Sequence, residues 1–123
     1  MTRLDEIAPT GPAADGGPEP LLSVEVRPDR DAVIVAPRGE LDLSTVALVE
    51  REVRELQERG FARVVLDLRG LTFIDSTGLR LLIRLDDDAR ARRHTLTLID
   101  RDGPARHLLE LTGLRNRFEL RAG

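Results

Sequence analysis

Five residues, Val64-Val65-Leu66-Asp67-Leu68, form a nearly continuous apolar run set between two helical segments. A strand with one wet face alternates apolar and polar side chains. A continuous run suits a central strand covered on both faces, which is the pattern of parallel pairing. Around it, short β-type runs alternate with amphipathic helices, so right-handed crossovers and a layered architecture are expected. The fold class read from this pattern is α/β: one domain with a mixed sheet of four to five strands and helices packed against it.

The other elements follow from local chemistry. Leu22 to Val26 and Ala32 to Ala36 are short strands, and the polar stretch Arg27-Pro28-Asp29-Arg30-Asp31 between them suits a hairpin connection. Gly39-Glu40-Leu41-Asp42-Leu43 reads as a loop leading into Ser44, a good N-cap. A first helix is expected from Thr45 to Arg59, with Val46, Val49, Val53 and Leu56 on one stripe and Gly60 as its stop. Leu71-Thr72-Phe73-Ile74 follows a Gly70 turn and delivers the chain to Asp75-Ser76-Thr77-Gly78. A second helix then runs to Arg93. Leu79, Leu82 and Ile83 point one way, Leu81, Leu85 and Ala89 widen the stripe, and arginines in the last turn suit the helix dipole. Leu96 to Ile99 is another strand. Gly103-Pro104 opens a third helix with Leu108, Leu109 and Leu111 on its apolar side, and Thr112-Gly113-Leu114 looks like a glycine C-cap. Phe118-Glu119-Leu120 makes a last short strand.

The stretch from Ala8 to Pro20 is dominated by Pro, Gly and Ala and offers nothing apolar to bury. Residues 1–20 are therefore expected to be a disordered leader, and residues 21–123 the folded domain. Arg3 is followed by Asp5 and Glu6, and no apolar segment precedes Pro9, which argues against a secretory signal. No stretch approaches the length of a membrane helix. The expected location is the cytoplasm, with no membrane insertion.

Composition removes several function classes. Three Phe, no Trp, no Tyr and a net charge of -3 leave neither stacking platforms nor a basic footprint, so no direct nucleic-acid binding is expected. The chain has no cysteine, which excludes thiolate chemistry and cysteine-ligated metal. The two histidines, His94 and His107, have no second histidine at ligand spacing, and no metal or other cofactor is expected. All 19 basic residues are arginine.

Asp75-Ser76-Thr77-Gly78 stands out. Asp, Ser and Thr each accept hydrogen bonds from the free N–H groups of a first helical turn, so on local chemistry alone the tetrad is a helix N-cap. The same geometry exposes a hydroxyl at a helix head, where a phosphate is tolerated by the free donors and the positive dipole end. Asp75 beside it opposes that charge.

Phe73-Ile74-Asp75-Ser76-Thr77-Gly78-Leu79 resembles the signature of STAS domains, particularly of the bacterial anti-sigma factor antagonists. Gly39-Glu40-Leu41-Asp42, with Thr45 three places on, is similar to the loop beside the phosphosite in that family. Leu108-Leu109-Glu110-Leu111-Thr112-Gly113-Leu114 is similar to its late helix and glycine stop. The three occur in the family's order across residues 22 to 121. The resemblance implies that Ser76 is the residue phosphorylated by an anti-sigma factor with serine kinase activity, with Thr77 as a secondary acceptor. It implies partner switching: the unphosphorylated protein binds the anti-sigma factor and frees a sigma factor, phosphorylation at Ser76 blocks binding, and a phosphoserine phosphatase resets the cycle. The implied partner surface comprises Asp42, Thr45, Asp75, Ser76, Thr77, Gly78 and Arg80. The protein itself is then no enzyme, and ATP and magnesium belong to the kinase. Family members generally continue into a C-terminal helix, whereas this chain ends at Gly123.

Three other readings compete. A serine hydrolase with Ser76 as nucleophile and His94 or His107 as base fails the nucleophile-elbow pattern, because position 74 is Ile rather than Gly. Asp86-Asp87-Asp88 as a magnesium site fails on geometry, since adjacent helical residues diverge. The pairs Arg84 with Asp88, Asp86 with Arg90 and Asp88 with Arg92 instead suggest a solvated charged face. The third keeps the fold and makes the domain an adaptor or scaffold subunit of a signalling or membrane-transport complex without a phosphorylation cycle.

Overall fold

The computed structural model describes residues 21–122. The expected leader, residues 1–20, lies outside them. Within the described residues the strands are β1 (Leu22–Asp29), β2 (Ala32–Leu41), β3 (Arg63–Asp67), β4 (Leu71–Ile74), β5 (Thr95–Ile99) and β6 (Glu119–Leu120). The helices are α1 (Val46–Glu58), α2 (Ser76–Ala91) and α3 (Pro104–Thr112), with a short 3-10 turn at Arg115–Arg117.

The strands form one mixed sheet in the order β1-β2-β3-β5-β6, with β4 also on β2, so the sheet has six strands rather than four or five. β1 and β2 are antiparallel and all other pairs are parallel. The added strand is β4, which shares β2 with β3. β3 pairs with Val33–Val35 of β2, and β4 pairs further along the same strand at Gly39–Leu41. β3 and β4 thus occupy one sheet position in succession.

Two expected loops are instead strand. β1 continues through Arg27-Pro28-Asp29, and only Arg30 and Asp31 form the turn, with Arg30 at a φ of 62°. Pro28 is tolerated on the outermost described strand, where a missing N–H breaks no ladder. Gly39-Glu40-Leu41 extends β2 because β4 supplies a partner that local sequence cannot reveal.

Each parallel step (β2 to β3 through α1, β4 to β5 through α2, β5 to β6 through α3) moves in the same direction across the sheet. Right-handed crossovers then put all three helices on one face. Val49, Val53 and Leu56 of α1, Leu79, Leu81, Leu82, Leu85 and Ala89 of α2, and Ala105 and Leu109 of α3 all join a single core with Val33, Val35, Val64, Leu66, Leu96 and Leu98. Each fully buried leucine here contributes about 1.5–3 kcal/mol. Among the described residues, the opposite face holds a small apolar cluster of Ala32, Ile34, Val65 and Ile99. The central strand is therefore buried on both sides, but among the described residues helices cover one face, a correction to the expectation of a strand covered on both. Leu111 also departs from expectation: it is 73% exposed, because Leu109 and Ala105 already face the core.

Helix ends are set by hydrogen bonds. Gly113 takes a left-handed φ of 73°, and Leu114 N–H returns to the Leu109 carbonyl at 3.0 Å, closing α3 as expected. At the β3–β4 link, the Asp67 carboxylate accepts from Arg69 Nε at 2.9 Å, Nη2 at 2.8 Å and its backbone N–H at 3.1 Å. Asp67 is buried, and the Arg69 hydrogen bonds hold its carboxyl below the usual carboxylate range.

A depressed folded-state pKa stabilises the fold fully above the unfolded carboxylate value and is lost as pH falls through the folded value. Asp67→Asn is expected to cost about 1–2 kcal/mol in urea unfolding at pH 7. The gap from wild type should close as pH drops below roughly 4. An equal gap at acid and neutral pH would remove the charge-assisted clamp as its cause.

Candidate functional site

The motif Asp75-Ser76-Thr77-Gly78 sits where β4 ends and α2 begins. Asp75 is the N-cap, with extended backbone (φ -115°, ψ -171°), and its Oδ1 accepts from Thr77 N–H at 2.9 Å and Gly78 N–H at 3.1 Å. Of the three residues able to cap, Asp75 alone performs the task. Ser76 is the first helical residue and is exposed, and among the described residues its hydroxyl has no hydrogen-bond partner. Thr77 is half-buried.

The second implied segment lies against this helix head. The parallel register pairs Leu41 with Ile74, so the residues that follow, Asp42 and Asp75, leave the sheet side by side. Asp75 N–H donates to the Leu41 carbonyl at 3.4 Å. Beyond Leu41 the chain closes on itself. Asp42 Oδ1 accepts from Ser44 N–H at 2.9 Å and from the Ser44 hydroxyl at 2.8 Å. The Ser44 hydroxyl bond, with the other bonds from Ser44 and Thr45, holds the Asp42 carboxyl below its ordinary range. Thr45 donates its hydroxyl to the Glu40 carbonyl at 2.7 Å and accepts from Asp42 N–H at 3.0 Å. Ser44, expected as the N-cap of α1, instead serves Asp42, and the capping position falls to Thr45 without a side-chain cap. The structure thus brings Asp42, Thr45, Asp75, Ser76, Thr77 and Gly78 to one end of the sheet. Arg80 is exposed one turn along the same helix face as Ser76.

Two neighbouring side chains were missed. Leu43 is 78% exposed at the tip of the Asp42 loop, and Phe73 is 46% exposed just before the helix head. From the sequence Phe73 is simply part of the run Leu71-Thr72-Phe73-Ile74. Between Leu71 and Phe73 the register advances two residues against one on β2, so Thr72 is a bulge. That extra residue lets Leu71 and Ile74 both face the core and turns Phe73 outward. Only the unusual spacing of Leu71 and Ile74 hints at it in the sequence.

The rival chemistries do not assemble. His94 lies beyond the C-terminal end of α2 and Ser76 at its start, separated by a 16-residue helix about 24 Å long. His107 is exposed on α3. Among the described residues no group of three or more His, Asp or Glu could hold a metal ion. Asp86, Asp87 and Asp88 turn to arginines rather than to one another, and Asp86 and Asp87 share Arg117. Asp86 meets Arg90 at 3.0 Å and Arg117 at 3.5 Å, Asp87 meets Arg117, and Asp88 meets Arg92 at 3.0 Å and Arg54 at 3.2 Å. The expectation of a solvated face fails for Asp86, which is 4% exposed and ties α2 to the C-terminal turn. Arg84 reaches across to Glu50 of α1 at 3.2 Å, not to Asp88.

Gly78 fixes the junction. A Cβ there would stand 2.8 Å from Ile74 Cγ1 and 2.9 Å from the Leu41 carbonyl oxygen. Gly78→Ala is therefore expected to destabilise the fold by about 1–3 kcal/mol and to displace the helix head. Chemical unfolding and amide chemical shifts of residues 41–45 measure both. Unchanged stability with unchanged shifts would disprove the close contact.

The STAS domain family model matches residues 23–122. The Anti-sigma F factor antagonist of Paenibacillus polymyxa is 31% identical over 94 residues, covering 76% of this chain and 80% of that protein. The crystal structure of an anti-sigma factor antagonist from Mycobacterium paratuberculosis superposes with a TM-score of 0.73 at 23% identity, covering 80% of this chain and 84% of that one. The Bacillus protein SpoIIAA, solved in a phosphorylated form, superposes with a TM-score of 0.62 at 19% identity, covering 81% of this chain and 92% of that one. The match along nearly the whole described fold, with a relative above 30% identity, is sufficient: the chain belongs to the STAS domain family.

Proposed function

We propose that this protein is an anti-sigma factor antagonist that works by partner switching, with Ser76 as its phosphorylated residue. The observation that carries the reading is the division of roles at the head of α2. Asp75 satisfies the first-turn N–H groups, which leaves the Ser76 hydroxyl exposed and without a partner among the described residues. The names of its relatives support the role, and a phosphorylated form of a protein with this fold supports the modification.

In this reading the unphosphorylated surface of Asp42, Thr45, Ser76, Thr77 and Arg80 docks on an anti-sigma factor with serine kinase activity. The Ser76 Oγ bonds to the γ-phosphorus of ATP as the bond to the β,γ-bridging oxygen breaks and ADP leaves, while the hydroxyl proton passes to a base of the kinase. The antagonist is the substrate and supplies no catalytic group. The phosphate adds roughly -1.5 to -2 charges. Thr77 and Gly78 N–H already serve Asp75, so few donors remain for it on this chain. It therefore stays at the surface beside a like-charged carboxylate and changes what the partner meets. A phosphoserine phosphatase removes it and restores docking. Leu43 and Phe73 add apolar area to the same rim and favour a protein partner over a small ligand.

Incubation with an anti-sigma kinase and ATP, followed by mass spectrometry, is expected to place phosphate on Ser76. Ser76→Ala should abolish it. Equal incorporation into that variant would overturn the assignment. Ser76→Asp is expected to weaken binding of the anti-sigma factor at least about tenfold, measured by titration calorimetry. Wild-type affinity in that variant would reject charge-driven switching while leaving the fold assignment intact.

A further inference from the structure

On the face of the sheet opposite α1, α2 and α3, a cavity of about 290 Å³ is lined by Glu25, Arg27, Ala36, Pro37, Arg38, Asp67, Arg69, Gly70 and Arg101. We propose that this cavity is a binding site for a small soluble phosphate ester or pyrophosphate.

Four guanidinium groups face two carboxylates, a net surplus of positive charge in a cleft whose floor includes the buried Ala36 and Pro37. Both carboxylates are already engaged. Glu25 lies 3.7 Å from Arg27, and Asp67 binds Arg69 through two side-chain hydrogen bonds. Arg38 and Arg101 have no ion pair among the described residues, so their charge is available to a ligand.

The arrangement is built rather than incidental in two respects. The Asp67 clamp fixes the Arg69 guanidinium while using two of its five N–H donors, which leaves three. Gly70 makes room for Arg38, because a Cβ at position 70 would stand 2.9 Å from Arg38 Cγ and 3.1 Å from the Pro37 carbonyl. The stem of Arg38 thus lies across the bare backbone of the β3–β4 link. Planar guanidinium forks match phosphate oxygens in pairs, and all four cations lining the cleft are arginines. The volume lies at the small end of ligand sites, which suits one or two phosphate groups rather than a large cofactor.

Amide chemical shifts of the full chain, titrated with pyrophosphate at low salt, are expected to move for Arg38, Arg69, Gly70 and Arg101 along one saturable curve. Arg38→Ala and Arg101→Ala should each weaken that binding at least about tenfold. Arg59→Ala, at the exposed end of α1, should leave it unchanged. Shifts scattered over every arginine-bearing surface without saturation, or affinity unchanged in the two cavity variants, would overturn the site. Competition separates the sources of phosphate. Displacement of pyrophosphate by ATP supports a soluble ester, whereas displacement by phosphatidylglycerol vesicles but not by ATP would refute it in favour of a lipid surface.

Discussion

The close approach of Gly78 to the Leu41 carbonyl sets the geometry of the whole functional end. A side chain at 78 has no room, so the first turn of α2 seats directly on the terminus of β2. The Leu41 carbonyl receives Asp75 N–H from the same turn, and Leu41 and Ile74 are register partners. Two segments far apart in sequence therefore leave the sheet as neighbours. The Asp42 loop is then held by its own bonds, with Thr45 tied back to Glu40 and Ser44 tied to Asp42. Rigid positions on both sides of Ser76 follow from one missing Cβ.

A second consequence concerns which hydroxyl is left over. An N-terminus needs short acceptors, and three consecutive residues qualify. Position decides among them, because the extended backbone of the capping residue is what returns a side chain to the second and third N–H groups. Asp75 occupies that position and satisfies both donors. Ser76, one residue later, is freed from structural work while remaining at the exposed head. Serving as a phosphoacceptor, as proposed, then costs the helix nothing, and a phosphate acts on docking rather than on folding.

Much of this was legible before any coordinates. The stripe Val46, Val49, Val53 and Leu56 specifies α1, and Pro104 and Gly113 bound α3, because periodicity and capping are local properties. The partnership of the Asp42 loop with Ser76 came from resemblance, since spacing alone contains no contact. What stayed hidden was non-local. Gly39 to Leu41 looked like a loop because its strand partner lies some thirty residues on. The outward turn of Phe73 is hidden because it depends on a bulge at Thr72 that reverses the alternation. Asp86 looked solvated because Arg117, which helps to pair it, is contributed by the chain's far end.

The one-sided packing explains the oddest residue in the central run. Asp67 follows Val64, Val65 and Leu66, and beneath a second helical layer a carboxylate there would carry a heavy desolvation cost. With no helix on that face among the described residues, the strand is closed over by arginine instead. Arg27 stands opposite Ile34 across the hairpin, and Arg69 folds onto Asp67. Long arginine stems cover apolar surface while their charged heads stay wet. The same substitution of charged side chains for a helical layer leaves a cationic cleft where a sandwich would have had a core. The face that needs arginine to be buried is thus also the face equipped to hold an anion.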